Sequence, residues 1–179
     1  MKRLLAVALF FVATPVLAEA PSIDGHWVSV APENIGGPFA TREFTFDGPA
    51  WRVAFRTFAD AAMTQPGFTI DVSGFYRVGG ESTAVPGAWN GIFAAFDKTV
   101  TAHSPEAVAM FAGMGCTLVI GQPFDLTDQA CGFLHASMDA MGEYDLVALQ
   151  GEQLFLGDRS ADLTKIRPTM LTPFPLIRK

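Results

Sequence analysis

Three histidines are candidates for metal binding or acid–base chemistry, but they stand far apart: His26, His103 and His135. Their spacing fits no metal-ligand motif such as HxxxH. The chain also lacks the nucleophile motif GxSxG, a phosphate-binding loop and the dinucleotide motif GxGxxG. We therefore expect a protein that is not an enzyme and that uses no metal ion and no cofactor.

A charged cluster follows the last predicted hairpin and contains Asp158, Asp162 and Arg167. We interpret it as a solvated turn whose ion pairs order the tail. An enzyme on the same scaffold is the alternative, and it would need two ionisable side chains facing the inside of the fold near Arg42.

Composition narrows the class of protein. The chain has 179 residues, of which 50% are hydrophobic, and a formal net charge of −6. This apolar fraction argues against a disordered chain, and 17 Gly with 12 Pro argue against a bundle of long helices. A nucleic-acid partner is not expected, because such proteins carry a basic surface.

The amino terminus has the three-part layout of a secretory signal. A positive start, Met1-Lys2-Arg3, precedes an apolar run over 4–13 and the small-x-small sequence Val16-Leu17-Ala18. The apolar run is too short to span a membrane, so we predict no stable membrane anchor. Cleavage after Ala18 would leave residues 19–179 as one domain, exported to a bacterial periplasm or outside the cell.

The chain has two cysteines, Cys116 and Cys131, separated by 15 residues. In an exported protein an isolated pair usually forms a disulfide. The chain-entropy model gives such a loop about 3 kcal/mol of stabilisation. We predict a structural disulfide.

Apolar and polar residues alternate strictly through the middle of the chain, which is typical of strands with one face on a core. The predicted strands are 41–47, 51–57, 68–78, 91–101, 143–149 and 153–156. Ser104 and Pro105 predict the start of one short helix, which ends at Gly113 or Gly115. Three prolines predict an extended tail over 168–179.

About eight strands with one helix packed on them suit an antiparallel barrel or a strongly bent sheet. The aromatic residues are mostly Phe, which has no polar group, so they would form either an ordinary filled core or an apolar pocket. Strand face and ring size select these pocket-lining candidates: Trp51, Phe55, Phe68, Ile70, Tyr76, Phe93 and Phe96.

Six segments, in order along the mature chain, resemble one known family. They are Gly25 to Ser29, Gly37 to Phe46, His103 to Ala109 followed by Cys116, Leu154 to Asp158, Arg167 to Thr169, and Pro175-Leu176. The family is the APCDD1 domain, named after an animal protein down-regulated by the adenomatous polyposis coli tumour suppressor. Animal members are membrane-tethered inhibitors of Wnt signalling with two such domains, whereas this chain has one.

The resemblance implies a lipocalin-like, half-open antiparallel β-barrel that accommodates a lipid or fatty acyl chain. Gly25-x-Trp27 is also similar to the first-strand motif of lipocalins, in which a Trp closes one end of the barrel. Arg42 shares a strand face with Phe44 and Phe46. Three placements of Arg42 follow: stacked inside on Trp27, at a sheet edge in solvent, or bound to a ligand carboxylate.

We therefore predict an exported binding protein that holds an apolar small molecule or lipid in a barrel. A protein partner, including any Wnt-type partner, is not inferred. An envelope structural or interaction module, with a barrel filled by its own side chains, is the alternative.

Overall fold

The computed structural model describes residues 19–137 and 142–179. The predicted secretory signal, residues 1–18, lies outside the described residues. The elements in chain order are β1 (Gly25–Ser29), β2 (Glu33–Asn34), β3 (Phe39–Asp47), β4 (Ala50–Phe58), β5 (Pro66–Glu81), β6 (Trp89–Ala102), α1 (Pro105–Gly113), β7 (Phe124–Asp125), β8 (Glu143–Gln150), β9 (Gln153–Leu156) and β10 (Leu176–Arg178).

Eight of these strands close into an antiparallel barrel. They pair in the order β1-β10-β9-β8-β6-β5-β4-β3, and β1 also pairs with β3, which completes the ring. The short strands β2 and β7 add to β3 and β6 outside the ring. The prediction of a mainly-β, lipocalin-like barrel with one short helix is confirmed.

The helix begins and ends where its local sequence predicts. The hydroxyl of Ser104 accepts a hydrogen bond from the backbone N–H of Ala107, and Pro105 needs no partner at the first helical position. The predicted disulfide between Cys116 and Cys131 is also confirmed, with 5.7 Å between the two Cα atoms. Within the described ranges, no helix has the length and apolar character needed to cross a membrane.

Two buried clusters occupy the concave side of the sheet. The barrel cluster consists of Ile23, Trp27, Phe44, Phe46, Trp51, Phe93, Val147, Leu154, Leu156 and Leu176. The helix cluster joins α1 and the disulfide to the sheet through Val100, Ala102, Ala107, Phe111, Cys116, Leu118, Leu126 and Cys131.

A β-bulge in the β5–β6 pair changes which residues face inward. Ser73 pairs with Asp97, but Gly74 pairs with Ala95, which leaves Phe96 as the extra residue. A Cβ at Gly74 would lie 1.8 Å from a backbone carbonyl oxygen, so the strands can approach this closely only at a glycine. The inward side of β6 therefore switches from odd-numbered to even-numbered residues, and Lys98 faces inward with Val100.

Candidate functional site

Arg42 is buried and makes an ion pair with a residue that the sequence did not single out. Its Nε donates to both carboxylate oxygens of Glu33, at 2.9 and 3.1 Å, and its Nη2 donates to the carbonyl oxygen of Phe174 at 2.6 Å. The hydroxyl of Ser29 also donates to Glu33, at 2.8 Å. Of the three placements left open for Arg42, the one at a sheet edge in solvent is therefore wrong, and Glu33 is already its carboxylate partner.

Trp27 is buried in the barrel cluster, where its Nε1 donates to the carbonyl oxygen of Ile23 at 2.7 Å. The cation on its ring is Arg178, with the guanidinium carbon 4.5 Å from the ring centroid. Arg178 is the direct partner of Trp27 in the β1–β10 pair. The second open placement, with Arg42 stacked on Trp27, is therefore also wrong, because strand pairing brings Arg178 of the last strand beside Trp27 of the first.

Three of the predicted pocket residues lie inside the barrel and pack tightly there. The rings of Trp51 and Tyr76 lie against Phe93, with centroids 5.3 and 5.5 Å apart, and Phe46 contacts both Tyr76 and Phe93. Burial, together with the charge of Asp24, raises the pKa of Tyr76 to about 12. This part of the interior is filled by side chains.

Four apolar side chains on the same inner face are only half-buried. They form what we call the inner wall: Val53, Phe55, Ile70 and Val72. Phe55 pairs with Ile70 and Val53 pairs with Val72 across β4 and β5. The two valines pack against the barrel cluster and Ile70 against the helix cluster, while Phe55, among the described residues, belongs to neither. The inner wall therefore lies between the two clusters.

The other two predicted pocket residues have different environments. Phe68 packs edge-on against Phe111 of α1, with ring centroids 5.2 Å apart, so it helps to fix the helix. Phe96 is 49% exposed and contacts Phe75, which is 53% exposed. Phe96 therefore does not line the interior. The reason is the bulge, which breaks the alternation that the sequence pattern implied.

A charged residue that the sequence did not single out, Lys98, lies beside the inner wall. Lys98 pairs with Val72 across β5 and β6, and its Nζ donates to the carbonyl oxygen of His135 at 3.1 Å. Burial lowers the pKa of Lys98, while the charge of Glu143 opposes this shift. The signal in the sequence that could have indicated this reversal is Gly74, because a glycine inside a strand often marks a bulge.

Asp145 on β8 is a second charged residue that the sequence did not single out, and it is only 2% exposed. Its Oδ1 accepts hydrogen bonds from the backbone N–H groups of Leu146 and Gly157, at 2.7 and 2.6 Å, and its Oδ2 lies 3.3 Å from Arg159. Burial raises its pKa despite these favourable partners. Arg159 also pairs with Glu143.

The predicted cluster near the carboxyl end is dispersed. Arg167 donates to the carbonyl oxygens of Gly91 and Asp145, both at 2.8 Å, rather than to an acid of the cluster. Asp162 instead pairs with Lys165, and hydrogen bonds from Lys165 and Thr164 lower its pKa to about 2. Within the described residues, no three or more His, Cys, Asp or Glu side chains are grouped to hold a metal ion.

A polar depression of about 630 Å³ lies on the outer face of the sheet. On its rim Glu43 binds His26 at 2.7 Å and Arg56 at 3.0 Å. Partial burial raises the pKa of Glu43, but the hydrogen bonds from His26 and Arg56 and the charge of Lys179 lower it by more. The net shift of this pKa is therefore downward. These ion pairs make the depression unlike a pocket for an apolar molecule.

A closed eight-stranded barrel with Trp27 in its core, and with a disulfide-linked helix region packed on the sheet, defines a mainly-β barrel protein. This fold is consistent with a binding protein. The family model described as Adenomatosis polyposis coli down-regulated 1 matches residues 12–120, more than half of the chain. The chain belongs to this family. No curated protein matches the sequence.

Proposed function

We propose that the protein is a non-enzymatic binding protein that holds the apolar part of a lipid or fatty acyl ligand against the inner wall. The observation that carries this proposal is the position of Phe55. It faces the inside of the barrel, is only half-buried, and lies between two clusters of packed residues, to neither of which it belongs within residues 19–137 and 142–179. Large apolar side chains in such a position can be covered by a ligand.

The free energy available is sufficient for useful affinity. Each buried methylene contributes about 0.8 kcal/mol, so ten methylenes contribute about 8 kcal/mol before the costs of binding. That gross value corresponds to a micromolar dissociation constant. A ligand with a longer buried chain would therefore bind more tightly than a short apolar solute.

A specific observation favours the alternative of an envelope structural or interaction module. The rings of Phe46 and Phe93 meet across the interior, with centroids 6.3 Å apart, so side chains fill one part of the barrel. In this alternative the inner wall would stay covered by neighbouring side chains and bind nothing.

The disulfide supports export, because such bonds persist in oxidising compartments. We place the protein in a bacterial periplasm or outside the cell, after removal of residues 1–18. Its proposed partner is an apolar small molecule or lipid.

Native mass spectrometry of protein purified from a bacterial periplasm tests the proposal. A bound mass that organic solvent extracts as a lipid, and a higher melting temperature when fatty acid is added to stripped protein, are the expected results. Protein that carries no lipid and that is not stabilised by any fatty acid would support the filled-barrel alternative.

A further inference from the structure

The inner wall has a cation on each side. Arg42 pairs with Phe55 on one side, and Lys98 pairs with Val72 on the other. Side chains that face each other across paired strands share a face of the sheet. The four apolar side chains of the inner wall therefore lie between two basic residues, and these two residues differ in what they bind.

Arg42 is not available to bind a ligand, because its guanidinium already has partners within the protein. Glu33 neutralises its charge with two hydrogen bonds, and the carbonyl of Phe174 takes a further donor. The Arg42 and Glu33 side chains are only 10% and 6% exposed. Separating this pair would leave two charges buried, which costs more than a new ligand contact returns.

Lys98 is different, because its ammonium donates to a neutral carbonyl, that of His135. In the part of the chain that the structure describes, no carboxylate oxygen lies within 4.0 Å of its Nζ. Glu143 is near enough to act on Lys98 electrostatically, but Arg159 binds its carboxylate. A partly buried ammonium with a neutral partner is suited to bind an anion.

We propose that the ligand is an apolar chain ending in a carboxylate, and that Lys98 binds this carboxylate while the chain lies along the inner wall. This inference rests on the proposed function, which concerns only the apolar part of the ligand. No covalent step is involved. The carboxylate would accept hydrogen bonds from the ammonium of Lys98.

Titration calorimetry with dodecanoate and dodecanol, two ligands of equal chain length, tests the inference. The proteins are the stripped wild type, Lys98→Met and Lys98→Arg, with Arg52→Met as a matched loss of one charge on the outer face of the same sheet. Circular dichroism checks that each variant is folded. Lys98→Met should weaken dodecanoate binding roughly 10- to 100-fold, the range expected for a charge-assisted hydrogen bond, and leave dodecanol binding unchanged.

Lys98→Arg should keep most of the affinity for dodecanoate, and Arg52→Met should keep all of it. Undiminished dodecanoate binding by Lys98→Met would overturn the inference and leave the proposed function standing. An equal loss of dodecanol binding would also overturn it, because Lys98 would then act on the shape of the site. If the wild type binds neither ligand, the proposed function itself fails, and the inference with it.

Discussion

The guanidinium of Arg178 lies over the buried ring of Trp27, 4.5 Å from its centroid, and joins the last strand of the barrel to the first. Arg178 also donates to the carbonyl oxygen of Asp24. A Cβ at Gly25 would lie 2.3 Å from Nη1 of Arg178, and Gly25 has a φ of +127°. The glycine therefore gives this arginine room to cover the ring.

Gly25→Ala should lower the free energy of unfolding by about 1–3 kcal/mol, because alanine is strained at this φ and displaces Arg178. Urea denaturation followed by Trp fluorescence measures the change. Gly80→Ala is the control, since a Cβ there meets nothing within 4 Å. Equal stability of Gly25→Ala and the wild type would show that the contact has no structural role.

Substitutions of the buried ion pair Arg42 and Glu33 should be strongly coupled in their effects on the free energy of unfolding. Arg42→Met alone should lower the free energy of unfolding by about 3–5 kcal/mol, because it leaves the carboxylate of Glu33 buried without its cation. The double variant Arg42→Met/Glu33→Leu should lose less than the sum of the single variants. Denaturant titrations of the four proteins give the coupling energy, and additive losses would contradict the buried pair.

The disulfide should stabilise the region that carries α1. Replacing Cys116 and Cys131 together by alanine should lower the free energy of unfolding by about 3 kcal/mol, as expected for a loop of 15 residues. A reducing agent should destabilise the wild type by a similar amount and leave the double variant unaffected. A wild type indifferent to reduction would contradict this role.

The titration of Asp145 should make stability depend on pH. Because its pKa is raised in the folded state, its contribution is greatest below the unfolded pKa of 3.8 and is lost as the pH rises through the raised value. The unfolding free energy of the wild type minus that of Asp145→Asn should therefore decrease as the pH rises above about 3.8. A difference that grows over this range would contradict the raised pKa.

Asp162 provides the opposite control, because its pKa is lowered to about 2. Its contribution is present above the unfolded pKa of 3.8 and is lost as the pH falls through about 2. The difference between the wild type and Asp162→Asn should therefore be constant over the range in which the Asp145 effect appears.

Much of the fold follows from local patterns in the sequence. Alternation of apolar and polar residues predicts the long strands, since each has one buried face, and the sequence around Ser104 and Pro105 predicts the helix. The isolated pair Cys116 and Cys131 predicts the disulfide. These features depend on residues close together in the chain.

The charged parts of the site depend on long-range pairing and could not be predicted in this way. Glu33 meets Arg42 because β2 pairs with β3, and Arg178 meets Trp27 because the tail closes the barrel. The bulge opposite Gly74 turns Lys98 inward and leaves Phe96 outside. A one-residue shift of this kind exchanges the two faces of a strand, and period-two reasoning cannot locate it.

Binding of a fluorescent fatty acid analogue to Phe55→Arg and to Phe96→Arg tests the central claim most directly. Both variants replace a Phe by the same cation, but Phe55 lies on the inner wall and Phe96 is 49% exposed on the outer face. The account predicts that Phe55→Arg loses binding while its circular dichroism spectrum is unchanged, and that Phe96→Arg binds like the wild type. Unchanged binding by a folded Phe55→Arg, or an equal loss in both variants, would contradict a binding site on the inner wall.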